Sequence, residues 1–370
     1  MTEAHVGTTD QLIVNMGPQH PSTHGVLRVA LTLDGESVVS ADPDIGYLHS
    51  SMEKIAECLD YRQFISYTDR FDYLGAMCNE WVFVRAVERL AGIQVTPRCE
   101  HIRLLLAELN RLASHLLYFG AMGIDTGATT VFLYCFRERE LLLDLFEWIS
   151  GQRLLYNFLR IGGMRNDLPD GWVEQCHAAV DVLASRVDEY DTLLSENRIF
   201  IARTRGIGAI TAEEALAYGF SGPCLRGCGV PYDLRRVDGY SLYRELDFEV
   251  CVEQGGDCLA RHMVRSRELR ESIKLVRQVL ARLPEGEVNV PVPRRLRVEP
   301  GEVYERIESP RGEMGCYLVS DGSDKPWRMH WRAPSFYNLA PLDRLCRGHW
   351  MADMVAVIAS TDIVLGDVDR

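Results

Sequence analysis

The sequence predicts an α+β fold, mainly helical, and three observations predict it. Short runs rich in Val, Leu and Thr lie near the amino end and again past residue 300, as strands do. Between them, long stretches repeat apolar residues at three-to-four spacing, the pattern of helices with one buried face. With 47% hydrophobic and 25% charged residues over 370 positions, the composition is that of an ordinary globular chain with a substantial core.

Taken in order, Leu12-Ile13-Val14 and Val26 to Leu33 read as strands, and Asp34-Gly35 is a hairpin signal before a return through Ser37 to Ser40. Leu48, Met52, Ile55 and Leu59 predict a helix over Tyr47 to Asp60, and a second covers Asp72 to Leu90. The third starts cleanly, with Thr96 as N-cap and Pro97 in the first helical position, and Gly120 is expected to end it. A fourth, FLYCFRERELLLDLFEWISG, is apolar round most of its circumference and so is expected at the centre of a bundle. Helices over Val173 to Asn197 and Cys258 to Leu283 follow, separated by an irregular Gly- and Pro-rich stretch near 206–239. Prolines 284, 291, 293 and 300 then interrupt the chain. Short β-like runs come next, and a short helix is expected within Pro341 to Ala359. The expected organisation is therefore a β region over 1–45, a helical bundle over 46–283 and a β/short-helix region over 284–370, packed as one structural unit.

A formal charge of −13 argues against a nucleic-acid partner, because phosphate neutralisation needs a basic surface. No basic, apolar leader is expected at the amino end, and no apolar run approaches the ~20 residues of a spanning helix. Eleven cysteines in a chain of this size read as reduced thiols. No C-x-x-C occurs; Cys224 and Cys228, four apart, read as small buried thiols, so no metal site is expected. Neither G-x-G-x-x-G after a strand nor G-x-x-x-x-G-K-[ST] is present, so NAD is not expected to bind this chain.

The most informative stretch is NMGPQHPSTHG, residues 15–25. Two prolines and two glycines exclude a regular helix there and stiffen a loop that carries His20 and His24 at the end of a sheet. Such a loop is a common place for binding residues.

That phrase, extended to NMGPQHPSTHGVLR, resembles the opening of the quinone-site subunit family of respiratory complex I: the D-type subunit of bacteria, the 49-kDa subunit of mitochondria. The resemblance runs almost the full length, through DIGYLHSSMEK, SYTDRFDYLGAM, FREREL, LRIGGMRNDLPDGW, SGPCLRGCGVPYDLRR, ESPRGEMGCYLVSDGS and TDIVLGDVDR. It implies a fold like the nickel–iron hydrogenase large subunit, a helical bundle with small peripheral sheets. It also implies a subunit of a proton-translocating NADH:quinone oxidoreductase, inactive as an isolated chain.

The resemblance assigns roles that the residues alone do not. A quinone needs hydrogen-bond donors that can release protons, and His and Tyr suit that. It places His24 and Tyr73 as quinone ligands, with His20 as a further candidate. By itself Tyr73 reads as a half-buried aromatic at a helix start. It places Asp125 as the carboxylate paired with His24, orienting the imidazole and favouring its charged form; the plainer reading is an N-cap of the next helix. Arg70 falls beside the terminal iron–sulfur cluster of a partner subunit, where a cation raises the reduction potential. Two positions depart from many members: Ser50 replaces a second cluster-facing arginine, and Leu155 replaces a histidine credited with the cluster's pH dependence. No cofactor is assigned to this chain; quinone is substrate, and iron–sulfur clusters and FMN belong to partner subunits. Implied partners are the terminal-cluster subunit, the C-type subunit and the membrane subunit at the quinone tunnel entrance. The implied location is peripheral, on the cytoplasmic side of a bacterial cell membrane.

Two competing readings share the ancestry. A hydrogenase large subunit needs two C-x-x-C pairs for its bimetallic centre, and neither end of this chain has one. An equivalent subunit in a quinone oxidoreductase fed by ferredoxin or another donor is compatible with the sequence, since the input module lies on other chains. A scaffold that has lost its quinone site is opposed by the joint presence of His24, Tyr73 and Asp125.

Overall fold

The computed structural model describes residues 11–20 and 25–370. Strands β1 (Leu12–Met16), β2 (Arg28–Asp34) and β3 (Ser37–Asp44) form an antiparallel meander, with the hairpin turn where Asp34-Gly35 predicts it. Alternation puts Val29, Leu31 and Leu33 on one face. That face meets Leu342, Leu345, Val357 and Leu365 from the far end of the chain in a core of its own.

The predicted helix over Tyr47 to Asp60 is much shorter, α1 (Met52–Ala56). Its expected first turn is not helical, and the chain is held there by the Gly46 and Leu48 amides, which donate to the Asp369 carboxylate at 2.8 and 2.7 Å. Ser51 then turns through the left-handed region. Sequence reasoning missed α2 (Tyr61–Thr68), although Asp60 and Gln63 make a reciprocal capping box in plain sight. Helix α3 (Ala76–Ala91) begins four residues later than predicted, since Asp72 bonds the Leu74 amide in a turn. Thr96 caps α4 (Pro97–Asp125) as expected, but the helix runs through Gly120 to Asp125. Gly120 serves contact instead of termination: a Cβ there would lie 3.2 Å from Phe132 on the next helix. That helix, α5 (Thr129–Ser150), is not the bundle centre, because it exposes Leu133 and Trp148. The central helix is α4, buried along most of its length.

A small hairpin, β4 (Leu159–Arg160) and β5 (Gly163–Met164), precedes α6 (Trp172–Tyr190), which passes through a π-helical turn into α7 (Arg198–Thr204). The stretch 206–239 is less irregular than predicted and holds α8 (Ala212–Ala217), α9 (Gly222–Arg226) and α10 (Leu234–Val237). Helix α11 (Cys258–Ala281) lies along α4. A second antiparallel sheet follows: β6 (Gly301–Ser309), β7 (Gly312–Ser320) and β8 (Arg328–Arg332), with β6 and β7 against α3. Four short helices complete the described chain: α12 (Pro334–Leu339), α13 (Leu342–Cys346), α14 (Asp353–Thr361) and α15 (Leu365–Asp369).

Each end thus supplies its own sheet, and the two sheets do not merge. The carboxyl-terminal part instead hydrogen-bonds to β3, through Val38 N to His349 O and Gly348 N to Val38 O. The fold is mainly helical with small antiparallel sheets, as the sequence predicts.

Candidate functional site

The His loop is fixed at its root. Arg28 Nη2 donates to Asn15 Oδ1 at 2.9 Å and Nη1 donates to Asp44 at 2.8 Å, tying all three strands together. Gly17 must be glycine: its φ is +86°, and a Cβ would lie 2.0 Å from the Leu27 carbonyl oxygen. Exposed His20 bridges to Gly25 in antiparallel fashion. His24, the first-ranked imidazole, lies outside the described residues.

Helix α15 links this loop to the second predicted site element. A Cβ on Gly25 would meet the Leu365 side chain at 3.1 Å. On the next residue, Gly366, a Cβ would fall 2.6 Å from Phe71 O and 2.9 Å from Arg70 O. Only a residue without a side chain lets the helix sit on the backbone of the Asp69–Gly75 turn this closely.

That turn carries Arg70 and Tyr73. Phe71 anchors it, fully buried and stacked on Trp331 with ring centres 4.5 Å apart. Buried Arg311, at the tip of the β6–β7 hairpin, donates from Nη1 to Asp72 Oδ2 at 2.8 Å and to Ser114 Oγ of α4 at 3.2 Å. Its Nη2 lies 3.5 Å from Asp362. Burial, reinforced by Asp362, raises the Asp72 carboxyl above its ordinary range, with Arg311 opposing. Asp367 of α15 is pushed up to about 7 by burial and by the Asp72 charge. The turn, α4 and the carboxyl-terminal segment are therefore locked by one guanidinium among several acids.

Tyr73 is half-buried beside this lock. Burial raises its hydroxyl pKa, and the nearby Arg311 charge works against that rise. Its hydroxyl is a candidate donor to a carbonyl ligand. Arg70 is exposed, and its guanidinium donates back to the Ser66 carbonyl.

Asp125 is the last residue of α4 and half-buried. It does not cap the following helix, whose N-cap is Ala128 without a side-chain bond. It lies eleven residues beyond Ser114, so about 16 Å along the helix from the Arg311 lock. The structure thus gathers Tyr73, Arg70, Asp72 and Arg311 at one turn and stations Asp125 at a helix end farther away. Of these, sequence reasoning missed Arg311. A charged residue in a Pro-Arg-Gly turn between strands reads as solvent-facing, and here it is buried.

A separate groove of about 540 Å³ is lined by Gly46, His49, Lys54, Arg328, His330 and Arg370, among others, and includes neither Arg70 nor Tyr73. Ser50, near its rim, is exposed and donates to Leu48 O. Leu155, the other departure, has φ +59° in the segment leading to β4. Cys224 and Cys228 are buried, with Cys228 Sγ donating to Cys224 O. No helix among the described residues is long and apolar enough to cross a membrane.

Relatives extend along the whole chain. It is 48% identical to the D-type NADH-quinone oxidoreductase subunit of Geobacillus kaustophilus over 362 residues, covering 98% of this chain and 99% of that protein. It is 50% identical to a D-type subunit, numbered 2, of the same enzyme in Symbiobacterium thermophilum over 383 residues, covering 99% and 100%. It is 49% identical to the D-type subunit of Pelodictyon phaeoclathratiforme over 371 residues, covering 98% and 93%. The family described as respiratory-chain NADH dehydrogenase, 49 Kd subunit, matches over residues 125–297 and 291–370. These stretches include the Arg311 hairpin and α15, so the chain belongs to the family of the 49-kDa subunit of the respiratory-chain NADH dehydrogenase.

Proposed function

We propose that the chain serves as the D-type subunit of a proton-translocating NADH:quinone oxidoreductase and forms much of its quinone-reduction site. The observation that carries this reading is the Tyr73 hydroxyl, held half-buried on a turn that the Asp72–Arg311 pair and α15 clamp from two sides. Reduction of a quinone to a quinol consumes two electrons and two protons. The electrons would come from the iron–sulfur cluster of a partner subunit, with FMN farther along on another. Exposed Arg70 suits a place beside that cluster, since a fixed cation favours the reduced form.

On this reading Tyr73 Oη donates a hydrogen bond to one quinone carbonyl oxygen, and His24 donates to the other. Asp125 pairs with His24 and favours the imidazolium, so that a proton is at hand. Its position at a helix carboxyl end supports that role: a carboxylate there faces the negative end of the dipole, and an imidazolium offsets the repulsion. His20, on the same loop, lines the cavity.

The terminal-cluster subunit, the C-type subunit and the membrane subunit at the quinone entrance are the proposed partners, and the site of action is the cytoplasmic face of the cell membrane. Kinship with the hydrogenase large subunit, and one structural unit made of regions 1–45, 46–283 and 284–370, belong to the same proposal. Both are supported by the helical middle flanked by two small sheets. Purifying the assembled complex and assaying quinone reduction with NADH and with reduced ferredoxin tests the proposal. Turnover with NADH that depends on this chain is the expected result. Turnover with ferredoxin alone selects the other donor, and quinone reduction by the isolated chain without a cluster overturns the site assignment.

A further inference from the structure

Asp69, the first residue of the Arg70–Tyr73 turn, and Glu80, on α3, are both fully buried. Each has one oxygen committed to backbone donors. Asn157 N donates to Asp69 Oδ2 at 2.9 Å, while Phe158 N and Leu159 N donate to Glu80 Oε2 at 2.8 and 2.5 Å. The other two oxygens, Asp69 Oδ1 and Glu80 Oε1, receive no donor from the described residues. Their backbone donors are consecutive, Asn157 to Leu159, so the two carboxyl groups are neighbours and each bears on the other's protonation. Two carboxylates cannot bond through their oxygens alone, since ionised groups only accept. A proton held between Asp69 Oδ1 and Glu80 Oε1 would give both orphaned oxygens a partner.

We infer that Asp69 and Glu80 share one proton and act as a latch: the protonated pair clamps the Asn157–Leu159 segment onto the turn bearing Arg70 and Tyr73, and its loss loosens both. The inference rests on the reading of that turn as part of the quinone site, and both acids are positioning residues in it. Burial pushes Asp69 up to about 6, and burial together with the Asp69 charge holds Glu80 well above the carboxylate range. The charges facing the pair are Arg70 on the turn and Arg160 on β4. Tyr156 faces both acids from the clamped segment, and Arg139 of α5 faces Tyr156. The two arginines are the only cations among these that bear directly on the acids, so a second negative charge in the pair is only partly offset. The strained Leu155, with φ +59°, enters the same segment and supplies no titratable group to it.

Glu80→Gln is the discriminating variant. Its amide nitrogen can donate to Asp69 Oδ1 while its oxygen accepts from Phe158 and Leu159, so the latch stays closed without a titrating proton. In the assembled complex, quinone reduction by Glu80→Gln is expected within about 2-fold of wild type near pH 6, with the wild-type decline toward alkaline pH flattened. Glu80→Ala, which opens the latch, is expected to lose roughly 10-fold near pH 6 and to approach wild type toward alkaline pH, where the wild-type latch also opens. A purely structural role would not produce that split. An infrared difference spectrum of the complex, wild type minus Glu80→Gln, should carry the band of a protonated carboxyl, and Asp69→Asn provides the same comparison should Glu80→Gln misassemble. Hydrogen exchange at the Asn157–Leu159 amides should rise with pH beyond its intrinsic increase in wild type and not in Glu80→Gln. Overlapping pH profiles for wild type and Glu80→Gln, or no carboxyl band in either difference spectrum, would overturn the latch. The infrared and exchange measurements stand even if Tyr73→Phe proves fully active and the quinone reading falls.

Discussion

Arg311 Nη1 donates to Asp72 Oδ2 at 2.8 Å, with both side chains wholly removed from solvent, and this contact joins the tip of one hairpin to the turn that carries Tyr73. Removing one partner of such a pair leaves a buried charge uncompensated, which costs more than the pair itself contributes.

Arg311→Met should therefore destabilise the chain by about 3–5 kcal/mol, read as a lowered denaturant midpoint. Asp72→Asn should cost less, since Asn still accepts from Arg311 and the remaining acid Asp362 keeps the guanidinium company. Equal losses from the two variants would mean that the pair, and not the uncompensated charge, carries the energy.

Tyr73→Phe keeps the ring and deletes one hydroxyl. Turnover with quinone should fall by roughly 100-fold or more if that hydroxyl delivers a proton. Stability should change by no more than about 0.5 kcal/mol, because burial of the ring is unaltered. Cluster assembly in the partner subunit, followed by its paramagnetic signal, should persist. Wild-type turnover and apparent quinone affinity in this variant would refute the assignment.

Asp125→Asn preserves size and removes charge, so the His24 imidazole should lose affinity for its proton and turnover should slow most at higher pH. If the two act as a pair, the Asp125→Asn/His24→Ala double variant should lose little more than His24→Ala alone. Additive losses would show two independent roles.

Asp367 yields a stability prediction with a definite sign. Its folded-state pKa of about 7 lies above the ordinary carboxyl value, so the folded chain holds a proton that the unfolded chain releases. The stabilisation is complete below about pH 4 and is lost as pH rises through about 7. Asp367→Asn should flatten that slope in denaturation midpoints measured across the same window, and an unchanged slope would assign the titration elsewhere.

Much of the architecture could be read from local rules. The Thr96-Pro97 start, the Asp34-Gly35 hairpin and the β-like runs past residue 300 each depend on neighbours in sequence, and each appears where expected. The failures share another physics. The segment expected to be helical from Tyr47 is tied instead to a carboxylate more than 300 residues away, and Gly120 is kept small for a neighbouring helix. Tyr73, Arg70 and Asp125 entered through family resemblance, since an isolated Tyr, Arg or Asp carries no signature of a ligand. Arg311 stayed hidden because nothing in Pro-Arg-Gly says that the hairpin tip points inward to an acid.

The amino-terminal sheet buries its apolar face in a core completed by residues beyond 200, many of them from the far end of the chain, and Ala41 and Asp343, joined by a hydrogen bond, are 302 residues apart. Contacts of such long range are entropically expensive to close and slow to form. The meander is made early in synthesis and must wait, with Val29, Leu31 and Leu33 uncovered, until its lid has been translated. An uncovered strand face of this kind invites association with other chains. A chaperone that shelters this sheet during synthesis should therefore raise the yield of folded chain.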